Sequence, residues 1–369
     1  MKIGILSMQR IINNGSLLQA YGLKKTIENL GFEVEFVDYK IEKSQKTAKN
    51  KQKNYKKILS VLKNFFLYGY KAIYLIVGKY KTNKNFLNNY MQVLNLSKEP
   101  NYSPQVDILV FGSDEVFNTV QYVEQGKGHA WQLYGADNNA GKLVSYAASF
   151  GHTTYECLEK YDMLDKSKEL LSKFADFSVR DKNSYDIIKK LIGKEASINI
   201  DPVLLYDFAD IEIKRPKIKD YILIYGYPGR INNKQEVAAI KAFAKKYNKK
   251  LVCVNMMQAW CDEFIYTHPF DLLGYFKYAD YVVTDTFHGA VISIKYNIPF
   301  IQFVRESKSY SNNQKVGYLL SSFGLEDRIL QKPEKLEEVI LKPIAYEKVN
   351  ETLLKEKTKA MDYLKRVLE

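Results

Sequence analysis

Short apolar runs alternate with longer amphipathic segments along the first half of the chain. Apolar runs of this length predict buried β-strands, and the amphipathic segments predict helices. The predicted strands cover residues 2–7, 33–38, 107–111, 142–147, 177–180 and 197–205. Helices are expected at residues 16–30 and 154–174, and Ser16 is the expected N-cap of the first, after the loop Asn13-Asn14-Gly15.

The same alternation starts again after a polar stretch at residues 207–219. Strands are predicted at residues 221–225, 251–255, 280–284 and 298–303, and helices at residues 234–247, 271–278, 290–296 and 351–369. Strands separated by helices form parallel sheets. We therefore expect an α/β protein with two Rossmann-like domains that face each other across a cleft.

The pattern also predicts how the chain is divided. The first domain covers residues 1–210, with a helical insertion at about residues 43–90, and the second covers residues 211–345. Residues 346–369 are expected to pack back toward the first domain as a C-terminal helix.

Length and composition narrow the class of protein. A chain of 369 residues exceeds the size of a single core, which agrees with two domains. It begins with the strand-like MKIGILSM, which lacks the apolar region and cleavage site of a signal peptide. Cys157, Cys253 and Cys261 are too few and too scattered for a disulfide framework or a zinc site. We expect a cytoplasmic protein without a bound metal.

The net charge of +13 is concentrated in one segment, since residues 43–84 contain twelve lysines and no Asp or Glu. Lys63 and Lys71 interrupt the apolar and aromatic run at residues 58–78, so that it is too short to span a bilayer. One interpretation is a packed helical pair with a solvated lysine face. Another is docking on an anionic membrane surface, which would place the protein at the inner face of the cell membrane. Nucleic-acid binding is the third, but no DNA- or RNA-reading motif accompanies the charge, and we expect no such partner.

His288 lies where a predicted strand passes into a predicted helix. Ligands of open α/β sheets bind at this position, next to the free N–H groups of the helix. An imidazole there can contact an anion and exchange a proton, and Gly289 would let a ligand approach the backbone. The structural alternative is a core histidine that bonds to a carbonyl, with Asp285 and Thr286 as helix caps.

Other polar residues also follow predicted strands. Arg180 can grip a carboxylate or phosphate, or form a salt bridge with Asp181. Ser113 and Asp114 lie in a loop suited to sugar hydroxyls, with Asp114 as a candidate general base. Asp201 also ends a predicted strand, but an Asp before a proline is typical of a turn, with a catalytic role as the alternative.

A further loop places Asn14 and Ser16 at a helix N-terminus, where backbone amides could bind an anion or a sugar. No glycine-rich nucleotide-binding motif accompanies this loop.

These segments, in this order, resemble the polysaccharide pyruvyl transferase family. The resemblance rests on NNGSLLQAYGL (residues 13–23), GSDEVFN (112–118), SYAASFG (145–151), SVRDKNS (178–184), DPVLL (201–205) and VVTDTFHG (282–289). It covers residues 3–303, and neither the lysine-rich insertion nor the C-terminal helix carries any of it.

The resemblance implies a GT-B-like fold and transfer of a pyruvyl group from phosphoenolpyruvate to sugar hydroxyls of a cell-surface polysaccharide, forming a ketal. The acceptor would be that polysaccharide or its lipid-linked oligosaccharide precursor, and no cofactor is required. The first domain would be the acceptor side and the second domain the donor side. His288 would be the acid/base and Arg180 a substrate contact. Some members have an arginine where this chain has Thr286, so Arg180, Arg230 or a lysine would have to supply that charge.

Two other functions are compatible with the sequence. One is a GT-B glycosyltransferase that uses a nucleotide sugar. The other is a non-catalytic protein that uses the cleft to bind a glycan or the membrane surface.

Overall fold

The computed structural model describes residues 1–42, 90–307, 310–311 and 313–369, together with Gly69, Val77, Gly78 and Lys84. The predicted insertion at residues 43–90 lies almost wholly outside the described residues. Its proposed membrane contact through residues 43–84 therefore stays a prediction.

The N-terminal lobe is built around short parallel strands. Its strands are β1 (Lys2–Leu6), β2 (Glu33–Val37), β3 (Ile108–Phe111), β4 (Lys142–Ser145), β5 (Ser178–Val179) and β6 (Ser197–Ile198). Its helices are α1 (Asn14–Asn29), α2 (Met91–Val93), α3 (Val120–Glu124), α4 (Tyr155–Lys160), α5 (Leu164–Leu171), α6 (Lys182–Ile192) and α7 (Pro202–Leu205).

The C-terminal lobe repeats the arrangement. Its strands are β7 (Tyr221–Tyr225), β8 (Lys250–Val254), β9 (Glu263–Ile265), β10 (Tyr281–Thr284), β11 (Phe300–Gln302) and the short pair β12 (Glu306–Ser307) and β13 (Tyr310–Ser311). Its helices are α8 (Lys234–Lys246), α9 (Pro269–Lys277), α10 (Phe287–Lys295), α11 (Asn313–Ser322), α12 (Leu336–Leu341) and the terminal α13 (Tyr346–Leu368).

Both main sheets are parallel, as the alternation of strands and helices predicts. The first has the order β2-β1-β3-β4 and the second β11-β10-β7-β8-β9. Bridges from β4 and the loop after it to Asp176 and Val179 join the pair β5-β6 to the first sheet. Parallel strands are covered by helices on both faces, and in β7 all five residues are buried.

Three local predictions are wrong, each for a physical reason. The N-cap of α1 is Asn13, whose side chain accepts a hydrogen bond from Gly15 N, so Ser16 lies inside the helix. The single helix predicted at residues 154–174 is divided into α4 and α5, with Asp162 in the left-handed region at φ 55° between them.

The third concerns residues 197–205, predicted as one strand. Strand β6 ends at Ile198, and Asp201 caps the short helix α7, with Pro202 at its first position. An Asp N-cap followed by proline is typical of a helix start, because proline lacks a backbone N–H and the first helical position does not need one.

Helix α13 lies against the N-terminal lobe although it follows the C-terminal lobe in sequence. The Tyr363 hydroxyl donates to the Ser145 carbonyl at 2.8 Å, and Arg366 donates to Asp176 at 2.6 Å. In the described part of the chain, no helix combines the length and apolar character that crossing a bilayer requires.

Candidate functional site

A cavity of about 550 Å³ lies between the carboxyl ends of the two sheets. The N-terminal lobe contributes loops after β1, β3, β4 and β5, and the C-terminal lobe contributes loops after β7, β8 and β10. Open α/β sheets bind ligands at such edges. The polar and charged side chains that line it include Asn13, Ser16, Asp114, Glu115, Gln121, Glu124, Gln125, His152, Arg180, Arg230, Thr286, His288 and Lys315.

Arg180 joins the loops of the N-terminal lobe at this cavity. Its side chain is only 2% exposed, and its two terminal nitrogens pair with Asp114 at 3.3 Å and Asp201 at 3.0 Å. Its guanidinium also lies 4.3 Å from the ring centroid of Phe287. The partners of Arg180 are thus these two aspartates rather than the neighbouring Asp181, which caps α6.

Asp201 connects this cluster to His288. One of its oxygens accepts from Val203 N and caps α7, while the other faces Arg180, Ser113 and the imidazole. The His288 Nε2 atom is 3.5 Å from that second oxygen, which is too long for a strong hydrogen bond but close enough for an ion pair. An aspartate beside one ring nitrogen orients the other for proton exchange.

The cations keep the buried carboxylates ionised. Burial alone would raise the pKa of Asp201, but His288 and Arg180 lower it to about 2. Burial would also raise the pKa of Asp114, but Arg180, His288 and a hydrogen bond from Ser16 bring it below its ordinary value. Asp114 is also held in the left-handed region at φ 81°, a conformation that persists only when its surroundings enforce it.

Gly15 leaves room for the His288 imidazole. A Cβ on Gly15 would lie 2.1 Å from His288 Nδ1, so only glycine fits under the ring. The first turn of α1 therefore packs directly against the imidazole. Because Nε2 faces Asp201, Nδ1 is the ring nitrogen that remains for a ligand.

Replacing Gly15 with alanine should displace the ring and reduce activity by about 10²-fold, the loss typical of a misplacement near 1 Å. The same clash should cost about 1–3 kcal/mol of stability, as overpacking does, and the better helix propensity of alanine offsets this only in part. Steady-state kinetics and urea denaturation separate the two effects.

Gly193→Ala is the control, since Gly193 has φ 70° at the end of α6 and a Cβ added there would have no neighbouring atom within 4 Å. That variant should lose stability and keep activity. Full activity in Gly15→Ala would contradict the proposed contact.

The predicted site residues separate into two groups. His288, Arg180, Asp114, Ser16, Thr286 and Arg230 line the cavity. Ser113 lies beneath it, fully buried, with its hydroxyl donating to Asp201.

The other predicted residues have different neighbours. Gly289 faces Thr284, whose Oγ1 would be 2.0 Å from an added Cβ, and its N–H donates to Thr286. A glycine at 289 is therefore explained by packing of α10 on β10. Asn14 accepts from the Tyr90 hydroxyl at 3.2 Å and lines a separate, smaller cavity.

Sequence reasoning missed the role of Asp201 and did not identify Glu115 and Lys315. Lys315 pairs with Glu115 from the opposite lobe, and the charge of Lys315 lowers the Glu115 pKa although burial opposes this. The signal for Asp201 was its position at the end of a strand. No local pattern marks Lys315, which lies on a helix far from every motif.

Asp285 is a further buried carboxylate beside the site. Its burial raises its pKa to about 6, although the charges of Arg230 and Arg305 oppose the rise. Among the residues that the structure describes, no group of three or more His, Cys, Asp and Glu side chains is placed to hold a metal ion. The charges that could bind an anion here are those of arginine, lysine and histidine.

Comparison of the fold with solved structures finds remote similarity. A UDP-GlcNAc 2-epimerase from Neisseria meningitidis bound to UDP-GlcNAc is 10% identical, with a TM-score of 0.51 over 100% of this chain and 99% of that one. A UDP-GlcNAc 2-epimerase from Methanocaldococcus jannaschii gives 10% identity and a TM-score of 0.48 over 93% of each chain. The first similarity shows the fold alone, which is GT-B-like with two Rossmann-type lobes, as the sequence predicts.

Comparison of the sequence gives the family. No curated protein matches the chain. The model of a family described as polysaccharide pyruvyl transferase matches residues 13–308, which is well over half of the chain. The matched range includes Gly15, Asp114, Arg180, Asp201 and His288. This chain belongs to the polysaccharide pyruvyl transferase family.

Proposed function

We propose that this protein transfers the pyruvyl group of phosphoenolpyruvate to hydroxyls of a polysaccharide or its lipid-linked precursor, closing a cyclic ketal. The observation that carries the proposal is an imidazole between Asp201 and Gly15 at the edge of a cavity lined by cations. Phosphoenolpyruvate is a small, multiply charged anion, and its chemistry requires a proton at carbon.

The donor would be held by cations of the C-terminal lobe. Arg180 is committed to Asp114 and Asp201, and Thr286 caps α10 by accepting from Gly289 N. Arg230, which lines the cavity from the loop after β7, is therefore our candidate for the charge that Thr286 lacks. Lys315, which pairs with Glu115 of the opposite lobe, would add a second cation on the same lobe.

The reaction would proceed in two additions. His288 donates a proton to the methylene carbon, and a sugar hydroxyl bonds to the neighbouring carbon, returning its own proton to the imidazole. The bond between that carbon and the phosphate oxygen then breaks. A second sugar hydroxyl bonds to the same carbon and closes the ketal, and its proton leaves with inorganic phosphate. General acid catalysis of this kind contributes about 10²- to 10⁴-fold.

Asp114 would orient Arg180 in this mechanism rather than act as the general base. A carboxylate whose pKa lies below its ordinary value is a weak proton acceptor. Its oxygens are already engaged by Ser16 at 2.5 Å and Arg180 at 3.3 Å.

Thermal unfolding with added ligands tests the donor. Phosphoenolpyruvate at about 100 times its dissociation constant should stabilise the protein by about 2.7 kcal/mol, whereas a panel of nucleotide sugars should not. Incubation with phosphoenolpyruvate and a lipid-linked glycan fraction should release phosphate and add one pyruvate minus water to the glycan, measured by mass spectrometry. Stabilisation by a nucleotide sugar alone would favour a glycosyltransferase instead.

The place of action is part of the proposal. A lipid-linked acceptor would be reached at the cytoplasmic membrane surface, where the basic residues 43–84 could hold the protein.

A further inference from the structure

The cavity contains a second imidazole, on the wall that the N-terminal lobe provides. His152 follows β4. Beside it on this wall are Gln121 and Glu124 of α3, together with Gln125, the residue after that helix. Unlike the cationic residues around His288, these side chains are acidic or neutral amides. None of them belongs to the proposed donor site.

A buried network fixes the orientation of His152. The Nδ1 atom lies 3.2 Å from the Asn118 amide nitrogen, and that nitrogen also donates to Glu115 at 2.7 Å. The Asn118 oxygen accepts from the Thr153 hydroxyl at 2.7 Å, which sets the direction of the amide. Because Asn118 presents a donor, Nδ1 must accept, and the proton is on Nε2, 3.3 Å from a Glu124 oxygen.

The backbone before His152 is equally constrained. Gly151 has φ 60°, and a Cβ there would lie 2.5 Å from a Glu115 oxygen and 2.7 Å from the Asn118 nitrogen. The loop therefore packs directly on Glu115 and Asn118. The side chains at its tip stay accessible, with 20% exposure for His152 and 31% for Glu124.

This arrangement suits a hydroxyl group. A hydroxyl donates one hydrogen bond and accepts others, and here it would meet an ionised carboxylate and an imidazole N–H in fixed positions. The direct contact between the two at 3.3 Å is at the long end of hydrogen bonding, so it is readily exchanged for a bridge through a ligand. An anion would be repelled by Glu124 and drawn to the cationic residues.

We propose that Glu124 and His152 bind a hydroxyl of the sugar acceptor, with a Glu124 oxygen accepting a hydrogen bond from the hydroxyl and His152 Nε2 donating one to its oxygen. This inference rests on the proposed function, because it names the acceptor side of the same cavity. It assigns the polar wall of the N-terminal lobe to a neutral carbohydrate and leaves the anionic donor to the cationic residues.

Saturation-transfer NMR on the full chain tests the binding without turnover. The probes are the methyl glycosides of galactose, glucose, mannose and N-acetylmannosamine. Wild type should bind at least one of them, and Glu124→Gln and His152→Gln should each weaken that binding about tenfold. The melting-temperature shift caused by phosphoenolpyruvate should be the same in both variants and in wild type.

His129→Gln is the matched control, since His129 stacks on Trp131 and does not line the cavity. It should bind the glycoside like wild type. Unchanged glycoside affinity in the Glu124 and His152 variants would overturn the assignment, and so would a wild-type chain that binds none of the probes. Failure of the proposed function is distinguishable, since wild type would then show no stabilisation by phosphoenolpyruvate.

Discussion

Replacing His288 with alanine is expected to reduce turnover by about 10²- to 10⁴-fold while the protein stays folded. The imidazole is the proton donor of the proposed mechanism, and its Nδ1 is left for exchange because Nε2 faces Asp201. Asp201 keeps Arg180 as a partner at 3.0 Å, so its charge stays compensated in the variant. The loss should therefore appear in kcat, measured by phosphate release, with a smaller change in the KM for phosphoenolpyruvate.

His268→Ala is a control from the same lobe. His268 caps α9 by accepting from Phe270 N, and it does not line the cavity. Its removal should cost about 1 kcal/mol of stability, as for a lost cap, and leave turnover intact. Ketal formation by His288→Ala at the wild-type rate would reject the role of His288, and circular dichroism of that variant would establish that it is folded.

The sequence predicts the fold well because each strand is a local apolar run. The run YILIY corresponds residue by residue to β7, and the order of strands and helices follows from the alternation. The predicted ends of strands and helices are wrong where a single residue sets the backbone conformation. Asp201 and Pro202 end a predicted strand early, and Asp162 divides a predicted helix.

The site is only partly predictable because its contacts join distant parts of the chain. His288, Arg180 and Asp114 could be identified, since each follows an apolar strand. Their common partner Asp201 could not, because a turn and a binding role have the same local pattern before proline. Glycines give the sharpest contrast, since Gly289 is explained by packing on Thr284 while Gly15, which was not singled out, lies against the His288 ring.

Replacing Arg180 with methionine is expected to destabilise the protein by about 3–5 kcal/mol at neutral pH, as for a broken buried ion pair. Arg180 is 2% exposed and compensates both Asp114 and the fully buried Asp201. Turnover should be lost as well, because Asp201, which faces His288, would no longer be compensated by the Arg180 guanidinium. Urea denaturation of wild type and variant measures the difference in unfolding free energy.

The control for this change is Arg366→Met. Arg366 pairs with Asp176 at 2.6 Å, but its side chain is 58% exposed. An exposed pair contributes about 0–1 kcal/mol. Equal effects of the two substitutions would contradict a special role for the Arg180 cluster.

The pH dependence gives a second, independent expectation for Arg180→Met. In wild type the pKa of Asp201 is about 2, below its unfolded value of about 3.9, so this stabilisation is complete above about pH 4 and lost as the pH falls toward about 2. Burial raises the pKa values of Asp114 and Asp201, and without Arg180 less charge opposes that rise. Both carboxyls should therefore bind protons more readily in the folded variant. The stability difference should therefore be largest at about pH 7 and shrink toward about pH 4. A difference that is constant with pH would mean that the lost stability comes from packing of the Arg180 guanidinium on Phe287 rather than from its pairing with the two aspartates.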